Sequence, residues 1–289
     1  MDKLEKVCKK CSKNCRDFGL DVFILEGKPT PLQFSKIVGK NRPALFKGAC
    51  KNLPAFKLWR SKSYLCDVMK NTKIQLAATP NGLADGITDN FFVLPHLIYC
   101  SFNDAIEKFS NAKKDVLIYD DKISYYIQSQ NDNLQSDFKL LFETGDVPKE
   151  IFWASEVFDK KPDGEQCCLL ITNMIHFYSD VQLSNDTIWE IKPLNSKTPW
   201  VSVNPQQAEI QPIIVEVSAG DVFYLPSLWY HQVEQESTCL EKGFNATIAV
   251  NYWYDLDYDD ARFSYFQLLR SVTKLAEGTN IDDDEDDDM

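Results

Sequence analysis

Histidine is the scarcest side chain here that could hold a metal or move a proton near neutral pH, and His96, His176 and His231 exhaust it. His231 closes the run Gly220-Asp221-Val222-Phe223-Tyr224-Leu225-Pro226-Ser227-Leu228-Trp229-Tyr230-His231, where a short strand should end at Pro226 and an aromatic pair precedes the imidazole. Taken alone, a His beside aromatics at a strand end reads as a structural residue. None of the three is followed at the second position by a carboxylate, since Ile98, Tyr178 and Val233 stand there. Asp180 lies four positions after His176. On a strand that spacing separates the two Cα atoms by about 13 Å, too far for one ion without a bend.

Cys8, Cys11 and Cys15 resemble half of a zinc site, but no His or second Cys pair lies near enough to complete a tetrahedron. Spacings of three and four also set them on one face of a helix, where Cys behaves as a small apolar residue, so core or interface packing outranks a metal. The chain's nine Cys are irregularly spaced and read as reduced thiols. No Cys–His or Ser–His–Asp arrangement is identifiable from spacing, so no peptidase centre is placed.

The elements that must position these residues are mixed α and β. Helical periodicity runs over Leu4 to Phe18, and a short helix over Leu32 to Val38 should stop near Gly39. Further helical spacing covers Leu65 to Met69, Ser101 to Phe109, Phe138 to Phe142 and Phe263 to Leu275. Strands are expected at Ala44 to Phe46, Ile74 to Thr79 and Ser124 to Gln128, with a turn at Thr79-Pro80-Asn81-Gly82. Short β-branched runs follow at Leu169 to Thr172, Ile188 to Ile191, Ile213 to Val217, Val222 to Leu225 and Ala246 to Tyr254, in the manner of a sandwich or barrel. Phe266, Leu269 and Val272 form a stripe on the last helix that is more apolar than a single-domain surface needs.

Composition excludes several classes. The formal charge of -12 falls largely on the unbroken acidic run Asp282 to Asp288, and the rest carries 36 acidic against 31 basic residues, a net of -5. That leaves no broad basic surface for nucleic acid. No stretch approaches the roughly 18 apolar residues of a membrane span, and Met1 to Arg16 is charged where a signal peptide needs an apolar centre. The expectation is a cytoplasmic protein, with the nucleus as a second compartment and a solvated acidic tail.

The Gly220 to His231 run, followed about twenty residues on by Ala249-Val250-Asn251-Tyr252-Trp253-Tyr254, resembles the C-terminal half of the Jumonji-C barrel in iron and 2-oxoglutarate oxygenases. Pro29 to Phe34, Asn41 to Ala49, Thr79 to Asp85, Trp153 to Glu156 and Ser264 to Leu269 resemble one branch of that family, the bifunctional peptidases and lysyl (3S)-hydroxylases. The likeness spans about residues 29 to 275. It implies an α+β fold with a double-stranded β-helix, the jelly-roll or cupin-like barrel, over 29–258. An N-terminal helix over 1–28, a C-terminal helix over 259–278 and an acidic tail over 279–289 complete the organisation.

The resemblance also implies Fe(II) and 2-oxoglutarate as cofactors, lysyl hydroxylation as the activity, and developmentally regulated GTP-binding proteins as substrates. A homodimer through the terminal helices is implied as well. Iron in the family is held by His-x-Asp on one strand and a distal His on a later one. His231 matches the distal His, Tyr126 and Asn251 match positions lining the 2-oxoglutarate pocket, and Gln166 stands where a Lys holds the distal carboxylate. A neutral amide cannot neutralise that carboxylate. The His-x-Asp pair has no match. Pro162-Asp163 runs directly into Gly164-Glu165-Gln166, so two strands and their turn, roughly 20 to 30 residues, are read as missing between 163 and 164. For the chain as written, a splice form or gene-model product acting as an interaction protein is therefore the favoured alternative to a working hydroxylase.

Overall fold

Thr30 and Pro31 start the first helix of the barrel region because both satisfy what a helix N-terminus lacks. Thr30 Oγ1 accepts from the Gln33 backbone N–H at 3.2 Å, the Thr30 N–H donates to Gln33 Oε1 at 2.9 Å, and Pro31 has no N–H to leave unpaired. The helix, α1 (Pro31–Val38), ends at Gly39 as its sequence indicates. The computed structural model describes residues 21–79, 86–88, 91–93, 95–111, 124–127, 134–159, 167–172, 213–229, 231, 233, 238–241, 244–254 and 261–277, with Lys6, Val7, Lys10 and Lys13. The chain forms two compact units. One comprises Ile24–Ser202 and Val217–Tyr254, the other Met1–Phe23, Val203–Glu216 and Asp255–Met289.

The first of these holds the sheets. β1 (Phe23–Glu26), β2 (Ala44–Lys47) and β9 (Val222–Tyr224) make a three-stranded sheet in the order β1-β2-β9. A six-stranded sheet has the order β10-β11-β8-β7-β3-β6, from β3 (Lys73–Thr79), β6 (His96–Ser101), β7 (Ser124–Ile127), β8 (Cys167–Thr172), β10 (Thr238–Glu241) and β11 (Phe244–Tyr252). β4 (Gly86–Thr88) and β5 (Phe91–Val93) pair with each other. The pairings with a determined register are all antiparallel.

Helices cover one face of the large sheet. α2 (Ala55–Leu58), α3 (Lys62–Met69), α4 (Phe102–Asn111), α5 (Lys139–Glu143) and α6 (Phe152–Phe158) complete this unit, and Trp59, Leu65, Met69, Phe102, Ile106, Phe109, Phe138 and Leu141 pack with Ile74, Leu76, Ile127 and Phe244 of the sheet. Inside this layer Asp146 is buried, and its carboxylate accepts from Trp59 Nε1 at 2.9 Å and the Tyr64 hydroxyl at 2.6 Å. An aromatic cluster of Phe34, Phe46, Trp153, Phe158 and Tyr224, with edge contacts at 4.5 to 6.1 Å centred on Phe34, ties α1 and α6 to the smaller sheet.

The other unit contains α7 (Ala261–Glu277). Lys6, Val7, Lys10 and Lys13 are helical, in keeping with the N-terminal periodicity, while Cys8, Cys11 and Cys15 lie outside the described residues. Among the described residues one expected strand is absent, and the strand expected at Ile188 to Ile191 lies outside them. Ile213 to Val217 is not in a ladder, and Ile214 is 90% exposed, because alternating β-branched residues form a strand only where a partner strand lies beside them.

Candidate functional site

The Gly-Asp pair at the start of the signature run is structural. Asp221 accepts from the Gly48 backbone N–H at 2.7 Å and that of Ser218 at 3.1 Å, which closes the turn before β9. Gly220 sits at φ +90, and a Cβ there would meet Lys51 Cγ at 2.7 Å, so neither backbone nor space admits a side chain. The other end of the run is held by Trp229, whose Nε1 donates to the Asn41 carbonyl at 2.9 Å. His231 follows this tie. Its imidazole is exposed, and Nδ1 lies 3.1 Å from the Trp229 carbonyl, the oxygen of its own loop.

Tyr126 and Asn251 come from two inner strands of the large sheet, β7 and β11. In β11, Ile248, Val250 and Tyr252 pack toward the helix layer, as does Ile127 in β7. Alternation then sets Tyr126 and Asn251 on the opposite face. Tyr126 is 4% exposed there, whereas Asn251 is open to solvent. They do not meet. Tyr126 is in register with Thr172 and Thr172 with Thr247, so Asn251 lies two strands across and four residues along, roughly 16 Å from Tyr126 at usual strand spacings. The intervening strand is β8, which begins three residues after Gly164.

His96 is no substitute ligand on that face. It pairs with Ala78 on the side of Ile98 and Cys100, which pack against the helix layer. Gln166, His176 and Asp180 lie outside the described residues. Among the described residues no group of three or more His, Cys, Asp or Glu side chains could hold a metal ion, and no helix is long and apolar enough to cross a membrane.

The model of the cupin-like domain family matches residues 29–187 and 180–260. The chain belongs to the cupin-like Jumonji-C family. The double-stranded β-helix expected from the motifs is the fold of this family, here with antiparallel sheets and a helical layer. Among its relatives, the human bifunctional peptidase and (3S)-lysyl hydroxylase JMJD7 is 28% identical over 308 positions, covering 89% of this chain and 91% of that protein. The JmjC domain-containing protein E of Dictyostelium discoideum is 27% identical over 350 positions, covering 95% of each chain. The lysine-specific demethylase JMJ32 of Arabidopsis thaliana is 26% identical over 321, covering 91% of this chain and 89% of its own.

Each aligned span is longer than the 289 residues of this chain, so each contains positions for which this chain has no residue. The two pieces of the family match meet at 180–187, not at the Asp163–Gly164 junction, so the match itself does not locate the loss. Members of this oxygenase family use Fe(II) and 2-oxoglutarate, and the donor set here does not fit that pair. A facial triad needs two His and a carboxylate converging on one point. His231 offers one donor, Nε2, its Nδ1 being held by the Trp229 carbonyl, His96 lies on the helix-layer face, and no His-x-Asp or His-x-Glu exists in the chain.

Sequence reasoning found His231, Tyr126 and Asn251 by motif, but not the ties that position them. Trp229 Nε1 to Asn41 and Asp221 to Gly48 join residues more than 170 positions apart, and nothing local in the sequence signals such pairs.

Proposed function

We propose that this chain serves the protein-recognition side of Jumonji-C lysyl hydroxylation, docking on GTP-binding proteins of the developmentally regulated type. The likeness to a (3S)-lysyl hydroxylase over 89% of the chain carries this reading, because it runs through the scaffold on both sides of the missing segment. A catalytic reading, hydroxylation of those proteins by the chain itself, is supported by the same likeness and opposed by the donor set. Immobilised GTP-binding protein of that type should retain the purified full chain saturably. Retention no greater than on an unrelated acidic or basic control protein would overturn the proposal.

The quaternary expectation belongs with it. Tyr265, Leu268, Val272 and Leu275 recur every three or four residues on α7 with Leu269 beside them, and all five are exposed, Leu269 at 64%. Such a stripe is self-complementary across a two-fold axis, so we place a homodimer contact there. Sedimentation should show a dimer that Leu269→Asp converts to monomer, and a wild-type monomer at high concentration would contradict it.

A further inference from the structure

The strand after the junction occupies ground that matters for the co-substrate. β8 is in register with β11 over Cys167 to Tyr252 through Thr172 to Thr247, six consecutive pairs, and with β7 at Tyr126 and Ile127. It therefore lies between the strand bearing Tyr126 and the strand bearing Asn251. Roughly 16 Å separates the two Cα atoms, so one small dicarboxylate would touch both residues only at the full reach of their side chains over β8. The defect that no side-chain reach repairs is the ligand set, because the His-x-Asp pair has no counterpart in the chain.

We infer that this chain binds neither iron nor 2-oxoglutarate in the family's manner and is a non-catalytic form, so that its docking on a lysine-bearing protein, which rests on the function proposed above, captures that protein without modifying it. Two observations carry this. No His in the sequence has a carboxylate at the second position after it, so the proximal pair of the triad is absent. His231, the candidate distal ligand, is exposed and offers a single donor, Nε2, because its Nδ1 is held by the Trp229 carbonyl. Gln166→Lys restores the missing charge without restoring the His-x-Asp pair.

Mn(II), a redox-inert stand-in for Fe(II), tests this on the full chain. Titration followed by the electron paramagnetic resonance of free Mn(II) should show no 2-oxoglutarate-dependent loss of signal, and the thermal midpoint should not move with 2-oxoglutarate for wild type or for Gln166→Lys. Mn(II) uptake that persists in His231→Ala and ignores 2-oxoglutarate is binding by the acidic tail and agrees with the inference. One equivalent of Mn(II) bound more tightly with 2-oxoglutarate, and lost in His231→Ala, would overturn it; His231 is exposed, so that variant should fold. The partner-binding measurement is separate. Failure to retain a GTP-binding protein removes the capturing role and leaves the metal result standing.

Discussion

The two faces of the six-stranded sheet are finished to different degrees. On the helix side, Leu65, Met69, Leu76, Phe102, Ile106, Phe109, Phe138 and Phe244 are all essentially inaccessible, and the buried Asp146 carboxylate is held by Trp59 and Tyr64. On the other side Ala77 and Tyr126 are buried near the centre, but Leu97 is 45% and Tyr99 77% exposed toward one edge, while Asn251 and Trp253 are exposed toward the other. A face closed by its own side chains survives the loss of a distant segment. A face whose chemistry needs residues from several strands does not. The scaffold and the site are thus separable properties of this fold.

Substitutions on the two faces should differ accordingly. Phe102→Ala deletes a fully buried ring that stands edge-on to Phe138, and large-to-small changes of this kind cost about 3 to 5 kcal/mol, readable as a lowered denaturation midpoint. Asp146→Ala strands the Trp59 indole N–H and the Tyr64 hydroxyl in the same layer and should cost about 2 to 3 kcal/mol. Burial and then the Asp146 hydrogen bond push the Tyr64 phenol up, so Asp146→Ala should also lower its spectrophotometric titration. Ser101 caps α4, with Asp104 N–H donating to Ser101 Oγ at 3.1 Å, and Ser101→Ala should cost about 1 kcal/mol.

The open face should hardly respond. Tyr99→Ser and His231→Ala are expected to stay within about 0.5 kcal/mol, as surface positions do. A loss comparable to Phe102→Ala at either position would break the contrast between the faces. The smallest effect is electrostatic. The Ser101 hydroxyl at 2.6 Å holds the Asp104 carboxyl below the usual carboxylate range. Its folded value is lower than its unfolded one, so its contribution is present above the unfolded value and disappears as pH falls through the folded one. Asp104→Asn should slightly flatten the acid limb of stability against pH.

What the sequence revealed follows the range of the forces involved. α1 was legible from the prolines around it and from Gly39, and β3 and α7 from their periodicity, because helix breakers and alternation are local. β6 was missed, since His96-Leu97-Ile98-Tyr99-Cys100-Ser101 is a mixed run whose strand character comes from six pairs with β3. α6 was missed as well, being seven residues without a side-chain cap and held by Trp153 against Phe34. At the site, motif spacing identified His231, Tyr126 and Asn251 and the absent His-x-Asp. The distance between Tyr126 and Asn251 was not legible, because it depends on which strand fills the space between β7 and β11.

The central claim is that the scaffold stands while its chemistry is incomplete. Release of succinate from 2-oxoglutarate by the purified full chain, with Fe(II) and ascorbate, tests this most directly when measured with and without a GTP-binding protein. The account expects no release above a protein-free control in either condition. Sustained release that requires His231 would contradict it.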